Sequence, residues 1–198
     1  MTEVLVVIDV QNDICPGGSL AVVGGDEIID TINVLLEVAV NADLSQDWQP
    51  LDHASFADNH TGQTPFSEVE MPYGPQTLWP NHCAQGTSGA AFDKRLNSKR
   101  ADAVIRKGMN PATDSYSTFF ENDHKTLTGL LGYLRERNVQ TLLLVGLATD
   151  FCVAYSALDA VANGFDVKIQ MDACRVIDNA GSLDAVLTQL RNAGVQLI

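Results

Sequence analysis

Short apolar runs alternate with amphipathic stretches along most of the chain. The apolar runs predict parallel strands buried on both faces. These strands are predicted at Val4–Ile8, more weakly at Asp43–Asp47, and at Val104–Arg106, Thr141–Val145, Val167–Met171 and Val195–Ile198. The amphipathic stretches predict helices at Asp26–Val38, Asp123–Asn138, Asp150–Asn163 and Ser182–Ala193. This alternation predicts an α/β fold, with residues 1–198 forming one domain around a doubly wound, mostly parallel sheet flanked by helices.

The stretch 49–97 does not follow this alternation. It contains five of the seven prolines and three of the four histidines, including His53 and His82, and it also contains Trp79. A loop of this length within a compact domain usually has a functional role. We therefore predict a loop-rich insertion at 49–97 that forms a lid or subdomain over a site.

Composition narrows the classes of function. Hydrophobic residues make up 45% of the 198 residues and the net charge is −13, which favours a globular protein and disfavours binding to nucleic acid. No stretch has the pattern of a signal peptide or the roughly 18 apolar residues of a membrane-spanning helix, so we expect a cytoplasmic protein without a membrane partner. The four scattered cysteines disfavour disulfides and a cysteine zinc site. The sequence is compatible with a homo-oligomer.

One cysteine differs from the others in its position. Cys152 follows the strand Thr141–Val145 and stands in the predicted first turn of the next helix. Free backbone N–H groups and the positive end of the helix dipole at that point favour a thiolate over a thiol. The sequence therefore predicts that Cys152 is a nucleophile.

Charged residues also end neighbouring strands. Asp9 follows the first strand, Asp47 the weaker second strand and Lys107 the third. Because the carboxyl ends of parallel strands meet at one edge of a sheet, we expect these side chains to lie with Cys152 in one site. The set suits acyl transfer, in which a carboxylate takes the thiol proton and N–H groups hold the oxyanion. The alternative is a simple ion pair between Lys107 and Asp9 beside a buried cysteine.

Six motifs in the chain match one known family. They are Asp9–Asp13 (DVQND), Ser45–Pro50 (SQDWQP), Trp79–Thr87 (WPNHCAQGT), Lys107-Gly108, Asp114–Phe119 (DSYSTF) and Gly146–Val153 (GLATDFCV). On these motifs the chain resembles the nicotinamidases (pyrazinamidases) of the isochorismatase-like hydrolase superfamily, over nearly its whole length. The resemblance implies an isochorismatase-like fold and an amidohydrolase that converts nicotinamide to nicotinate and ammonia through a cysteine thioester.

The resemblance also implies roles for individual residues. Asp9, Lys107 and Cys152 would form the catalytic triad, and the N–H groups of Ala148 and Cys152 would form the oxyanion hole. A cis peptide is implied between Leu147 and Ala148, and both of these residues would contact the substrate.

For the substrate ring, the resemblance implies a sandwich between Trp79 and Ile14. The family usually has phenylalanine where this chain has Ile14. An aliphatic side chain can cover the face of a ring, but it does not provide aromatic stacking. We therefore expect the contact on that face to be weaker.

Members of the family carry a divalent metal, in most cases zinc or iron, on an aspartate and two or three histidines. Asp47 and His82 match this pattern, and His53 matches a further ligand position of some members. Gln49 stands where the motif has histidine, and its neutral amide oxygen is a poor ligand for zinc or iron. We therefore expect a zinc, iron or manganese site formed by Asp47, His53 and His82, with weakened affinity or an altered metal preference.

Three alternatives remain open at this point. A cysteine hydrolase of ureido or carbamoyl amides would share the triad and lack the metal; Gln49 favours it and the motif Trp79–Thr87 disfavours it. An isochorismatase does not need a thiol nucleophile, so Cys152 disfavours it. A non-catalytic binding protein on this fold is disfavoured because all three triad residues are present.

Overall fold

The computed structural model of the chain describes residues 2–198, in which six strands form one parallel sheet and two form a hairpin. The strands are β1 (Thr2–Ile8), β2 (Ala42–Asp47), β3 (Glu68–Met71), β4 (Gly74–Thr77), β5 (Ala103–Lys107), β6 (Val139–Leu147), β7 (Asp166–Arg175) and β8 (Gln196–Leu197). The helices are α1 (Ile29–Val38), α2 (Leu130–Glu136), α3 (Ala154–Ala162) and α4 (Ser182–Asn192). None of the helices between Thr2 and Ile198 is long and apolar enough to cross a membrane.

The central sheet has the strand order β5-β2-β1-β6-β7-β8, and all of its pairs are parallel. The predicted doubly wound, mostly parallel α/β fold is therefore confirmed. The chain runs outward from β1 to β2 and β5, then crosses back to place β6 on the other side of β1. In such a sheet the crevice at this reversal is where ligands bind. The fold therefore predicts a ligand site at the carboxyl ends of β1 and β6.

Both faces of the sheet are covered. Alternate residues of β1 point in opposite directions, so that Leu5 and Val7 join one apolar cluster while Val4, Val6 and Ile8 join the other. The first cluster packs against α1 and parts of the insertion, and the second packs against α2, α3 and α4. Burial on both sides explains why these strands are continuous apolar runs in the sequence.

The insertion at 49–97 is more ordered than its composition predicts. It contains a short 3₁₀ turn at Ala57–Asn59 and the antiparallel hairpin β3–β4, neither of which the sequence pattern indicated. Its side chains Phe56 and Leu78 are fully buried. The segment is therefore a packed wall of the molecule rather than a loose loop.

Three predicted helices begin later than expected, although α1 does so by only three residues, at Ile29. The helix predicted from Asp123 begins only at Leu130, because the Asp123 carboxylate accepts hydrogen bonds from the Lys125 and Thr126 N–H groups at 2.8 Å each and holds a turn there. Gly129, with φ 110°, then separates that turn from α2. The helix predicted over Asp150–Asn163 is divided into a π-helical turn, Thr149–Val153, and α3.

The closest backbone approach next to the site lies between β1 and β6, where Ile8 pairs with Gly146. Gly146 has φ 118°, and a Cβ atom at this position would lie 2.1 Å from the Ile8 carbonyl oxygen. Only glycine both adopts this positive φ angle readily and has no Cβ atom to collide with β1.

We predict that Gly146→Ala destabilises the protein by roughly 2–5 kcal/mol, because the added methyl group both collides with β1 and disfavours the backbone conformation. Urea unfolding measures this change in the free energy of unfolding. Gly132→Ala in α2, where a Cβ atom meets nothing within 4 Å, is the matched control and should stabilise the protein by up to about 1 kcal/mol. Equal unfolding midpoints for Gly146→Ala and the wild type would contradict the prediction.

Candidate active site

The carboxyl ends of four strands meet at one point of the sheet. Asp9 directly follows β1, Asp47 is the last residue of β2, Lys107 is the last residue of β5, and Cys152 lies in the turn after β6. A carboxylate oxygen of Asp9, a carboxylate oxygen of Asp47 and the sulfur of Cys152 all lie within 4.8 Å of one another. The sequence prediction that these strand ends share a site therefore agrees with the geometry.

The ammonium group of Lys107 lies at the centre of this cluster. Its Nζ atom is 2.5 Å from Asp47 Oδ1, 3.0 Å from Asp9 Oδ2 and 3.4 Å from Cys152 Sγ, and it donates a hydrogen bond of 2.9 Å to the Ser115 carbonyl oxygen. The side chain of Lys107 is fully buried. A buried charge is tolerated only when it is paired in this way, so the lysine and the two carboxylates stabilise one another. The ammonium group thus contacts all three of these acidic groups.

The pKa values follow from burial and from this pairing. Burial alone would lower the pKa of Lys107, but the charges of Asp47 and Asp9 outweigh it and hold the pKa well above its ordinary value. For the carboxyl group of Asp47, burial acts in the opposite direction and raises the pKa, while the charge of Lys107 opposes this effect. The lysine is therefore positively charged at neutral pH.

The surroundings of Cys152 act against the thiolate that its position at a helix start predicts. Burial raises the pKa of the Cys152 thiol well above its ordinary value, Asp9 and Asp47 add to this, and Lys107 opposes it. The residue also lies in the π-helical turn before α3 rather than in the first turn of an α-helix. These surroundings favour the neutral thiol, which a nearby base such as Asp9 would deprotonate.

Two polar side chains that the sequence analysis did not single out position the carboxylates. Ser45, on β2, donates a hydrogen bond of 2.7 Å to Asp9 Oδ1. Gln11 pairs with the backbone of Asp47, donating to its carbonyl oxygen and accepting from its N–H group at 2.8 Å each. Both residues lie inside the matched motifs, and a buried polar side chain next to a catalytic strand end is the signal that could have identified them.

A cavity opens to solvent beside the cluster. All four predicted substrate contacts line it: Ile14, Trp79, Leu147 and Ala148. The structure adds further lining residues, namely Leu20, Gln49, Asp114, Ser115, Tyr116, Phe151 and Ile177. The mostly apolar lining of this cavity suits a small aromatic ring.

Aromatic side chains fix one wall of the cavity. The Trp79 ring contacts Phe151 edge-on at a centroid distance of 4.9 Å and Tyr116 at 6.1 Å. Such contacts restrict the orientation of Trp79, which presents the indole to the cavity as a preformed surface.

The backbone after β6 has the geometry that the family resemblance implied. The Leu147–Ala148 peptide is cis. The Ala148 carbonyl oxygen accepts hydrogen bonds of 3.1 Å from the N–H groups of Phe151 and Val153, which anchors the π-helical turn that carries Cys152.

The predicted metal ligands are only partly brought together. His82 donates from Nδ1 to the Pro80 carbonyl oxygen at 2.8 Å, which leaves its Nε2 lone pair facing Asp47 Oδ2 at 3.8 Å. Burial lowers the pKa of His82, so the ring is neutral. The predicted third ligand, His53, does not line the cavity, and the donor atoms of Asp47, His53 and His82 do not all lie within 4.8 Å of one another.

The reason for the position of His53 is local. Its Nδ1 atom is 2.8 Å from the Ser55 hydroxyl and also accepts the Ser55 N–H group at 3.2 Å, which orients the ring. Its Nε2 atom is buried and finds no hydrogen-bond partner within residues 2–198. Of the three predicted ligands, Asp47 and His82 line the cavity, whereas the ring of His53 is held by Ser55 outside its lining.

Gln49 occupies the place next to these two ligands. Its Nε2 atom donates a long hydrogen bond of 3.4 Å to Asp114 Oδ1, while its buried Oε1 atom has no hydrogen-bond partner in the described chain. Asp114 is itself held by Gln76 Nε2 and by the Ser115 N–H group, at 2.8 Å each. The amide of Gln49 is therefore oriented with a free oxygen, and Asp114 and Gln76 are parts of the site to which the sequence analysis assigned no role.

Known proteins share both this sequence and this structure. A sequence profile described as the isochorismatase domain matches residues 3–198. A nicotinamidase from Acinetobacter baylyi is 48% identical over 194 residues, which cover 98% of this chain and 91% of the relative. A solved nicotinamidase and pyrazinamidase from Acinetobacter baumanii is 51% identical, with a TM-score of 0.98 and coverage of 100% and 95% of the two chains.

A more distant solved structure shares the whole fold. The pyrazinamidase of Pyrococcus horikoshii, solved in complex with zinc, is 30% identical with a TM-score of 0.80, and the match covers 100% of this chain and 99% of that one. Since the profile and the relatives both extend over nearly the entire chain, the protein belongs to the isochorismatase family of hydrolases.

Proposed function

We propose that the protein is a nicotinamidase, an amidohydrolase that converts nicotinamide to nicotinate and ammonia. The observation that carries the proposal is the buried ammonium group of Lys107 between Asp9 and Cys152, at the edge of a cavity lined by Trp79. The site therefore combines a thiol, a base and an aromatic surface on which a flat ring can lie. The relatives named as nicotinamidases support the same substrate.

The first chemical step is the transfer of the thiol proton. A carboxylate oxygen of Asp9 lies within 4.8 Å of the Cys152 sulfur, and the Ser45 hydroxyl orients this carboxylate by donating a hydrogen bond to Oδ1. As the neutral thiol gives its proton to Asp9, the thiolate that forms stays next to Lys107, 3.4 Å away, which stabilises its charge. The sulfur then attacks the amide carbon of the substrate and forms a carbon–sulfur bond.

The remaining steps use the same groups. The N–H groups of Ala148 and Cys152 hold the oxyanion of the tetrahedral intermediate. Asp9 returns its proton to the amide nitrogen, the carbon–nitrogen bond breaks, and ammonia leaves a thioester. A water molecule then gives a proton to Asp9 and attacks the thioester; the carbon–sulfur bond breaks, Asp9 returns the proton to the sulfur, and the acid product leaves and ionises to nicotinate.

A divalent metal also belongs to this proposal, because the related pyrazinamidase was solved with zinc. Asp47, His82 and Gln49 would hold it. The fit rests on a neutral histidine lone pair facing a carboxylate at 3.8 Å and on a buried amide oxygen without a partner in the part of the chain that the structure describes. When bound, the metal would take the pyridine nitrogen of the substrate, directly or through water, and so fix the ring.

The proposal is tested by measuring ammonia release from nicotinamide, pyrazinamide and a set of ureido and carbamoyl amides, with and without added divalent metals. Nicotinamide and pyrazinamide should be hydrolysed, and the carbamoyl amides should not. A preference for carbamoyl amides would instead support the alternative hydrolase class.

We predict that Cys152→Ala abolishes turnover but still binds nicotinamide, because the cavity keeps its lining while the attacking sulfur is gone. Ammonia release measures turnover, and isothermal titration calorimetry measures binding. Cys174→Ala, which removes a buried thiol outside the cavity, is the control and should keep activity within about threefold of the wild type. Near wild-type turnover in Cys152→Ala would show that another group is the nucleophile.

We predict that Asp9→Asn lowers kcat by roughly 10²–10⁴-fold, since the neutral amide cannot accept the thiol proton. Steady-state kinetics and a count of reactive thiols measure the effect. Ser45→Ala, which only removes the hydrogen bond that orients Asp9, should have a smaller effect. A smaller loss in Asp9→Asn than in Ser45→Ala would contradict the role of Asp9 as the base.

We predict that Gln49→His raises zinc affinity at least about tenfold, because imidazole nitrogen is a stronger ligand for zinc than a neutral amide oxygen. Zinc content after purification without chelator, and titration against a competing zinc indicator, measure the affinity. Gln63→His, which adds a histidine at an exposed position, is the control. Equal zinc affinities for the wild type and Gln49→His would mean that residue 49 does not contact the metal.

A further inference from the structure

A second hollow lies on the surface next to the catalytic cavity. We call it the outer groove, and its lining includes Val22, Val23, Phe66, Ile177 and Asp178. Two of its apolar side chains are largely in solvent, with Val23 88% and Phe66 49% exposed, whereas Val22 is buried.

One residue belongs to both spaces. Ile177 lines the catalytic cavity as well as the outer groove, so its side chain stands between them. The two spaces also touch through aromatic rings, since Phe66 in the groove contacts Trp79 in the cavity edge-on at 5.9 Å. The wall between the cavity and the groove is therefore about one side chain thick at Ile177.

The backbone that carries Ile177 is held by a carboxylate from the nucleophile's own turn. Asp150, two residues before Cys152, accepts hydrogen bonds from the N–H groups of Ile177 at 3.0 Å and Asp178 at 2.9 Å, and from the Ser182 hydroxyl. Asp150 is only 3% exposed and forms no ion pair among residues 2–198. Its charge is satisfied by these donors alone.

The held segment would not keep this shape by itself. Asp178 and Ala180 both have positive φ angles, 55° and 52°, which residues other than glycine rarely adopt. The hydrogen bonds to Asp150 favour this conformation, and with it the position of Ile177 over the cavity.

We propose that Ile177 determines substrate size by closing the catalytic cavity against the outer groove, and that Asp150 is the positioning residue that keeps it there. This inference rests on the proposed hydrolysis of nicotinamide. It implies that the wild-type enzyme accepts pyridine and pyrazine carboxamides without large ring substituents. A ring with an apolar substituent would need the space that Ile177 occupies.

The first test compares substrate selectivity in Ile177→Ala and the wild type. Removing the side chain joins the cavity to the groove, so at least one of the nicotinamides phenylated at ring carbon 4, 5 or 6 should gain about tenfold or more in kcat/KM relative to nicotinamide. Val23→Ala is the matched control, because it truncates a groove residue that does not line the cavity. Its selectivity should equal that of the wild type.

The second test asks whether Asp150 acts through Ile177. Asp150→Asn keeps one acceptor oxygen but sets an amide N–H against the backbone donors, and Ser182→Ala removes one donor. Both should shift selectivity in the same direction as Ile177→Ala, by a smaller factor. In the Ile177→Ala background the shift caused by Asp150→Asn should disappear, because the side chain that Asp150 positions is already absent. Thermal unfolding identifies any variant that does not fold.

The outcomes separate this inference from the proposed function. If the wild type does not release ammonia from nicotinamide, the proposed function fails first. If nicotinamide is hydrolysed but Ile177→Ala leaves the relative kcat/KM of all three phenylated amides unchanged, Ile177 does not limit substrate size. If the Asp150→Asn shift persists in the Ile177→Ala background, Asp150 is not its positioning residue.

Discussion

The buried ammonium group of Lys107 is the interaction on which the rest of the site depends. It lies 3.0 Å from Asp9 and 2.5 Å from Asp47. Without it, two carboxylates at adjacent strand ends would face one another in a space closed to water. Removing one partner of a buried ion pair typically costs about 3–5 kcal/mol. The pairing register of β1, β2 and β5 therefore determines where Asp9, Asp47 and Lys107 lie relative to one another, as well as which backbone hydrogen bonds form.

The same burial determines how the nucleophile works. A helix start can favour a thiolate, but that effect falls off within one turn and is worth on the order of 1 kcal/mol. Burial of Cys152 beside Asp9 and Asp47 acts in the opposite direction and raises the pKa of its thiol. In the proposed mechanism the thiol gives its proton to Asp9 as the sulfur attacks the substrate, and the charge then moves from sulfur to the oxyanion. The positive lysine then stays close to the negative charge in each step.

The sequence predicted much of this fold because its signals are local. The strands that carry Asp9, Lys107 and Cys152 are continuous apolar runs, and parallel packing requires their ends to meet. The cis peptide before Ala148 came from family resemblance alone, since no local pattern indicates it. The hairpin in the insertion and the late start of α2 were missed, because long-range packing and the turn at Asp123 override helical and loop propensities there.

Side-chain contacts between distant segments were the least predictable. Ser45 on Asp9 and Asp150 on the segment of Ile177 join residues 36 and 27 positions apart, and neither pair has a local signature. The position of His53 has the same origin. The family resemblance implied a ligand role for it, but no sequence pattern indicates that Ser55 hydrogen-bonds to its Nδ1 atom.

Asp47 links the catalytic part of the site to the part proposed to bind the ring. One of its oxygens lies 2.5 Å from Lys107 Nζ and the other lies 3.8 Å from Nε2 of the neutral His82 ring, so one carboxylate contacts both parts. A metal held by Asp47 and His82 would compete with Lys107 for the charge of this carboxylate. Gln49 brings no charge of its own, but Asp114 draws on its amide nitrogen and so increases the negative character of its oxygen. In the proposed metal site the Gln49 oxygen would therefore be a better ligand than an isolated amide, although it would still bind more weakly than a histidine nitrogen.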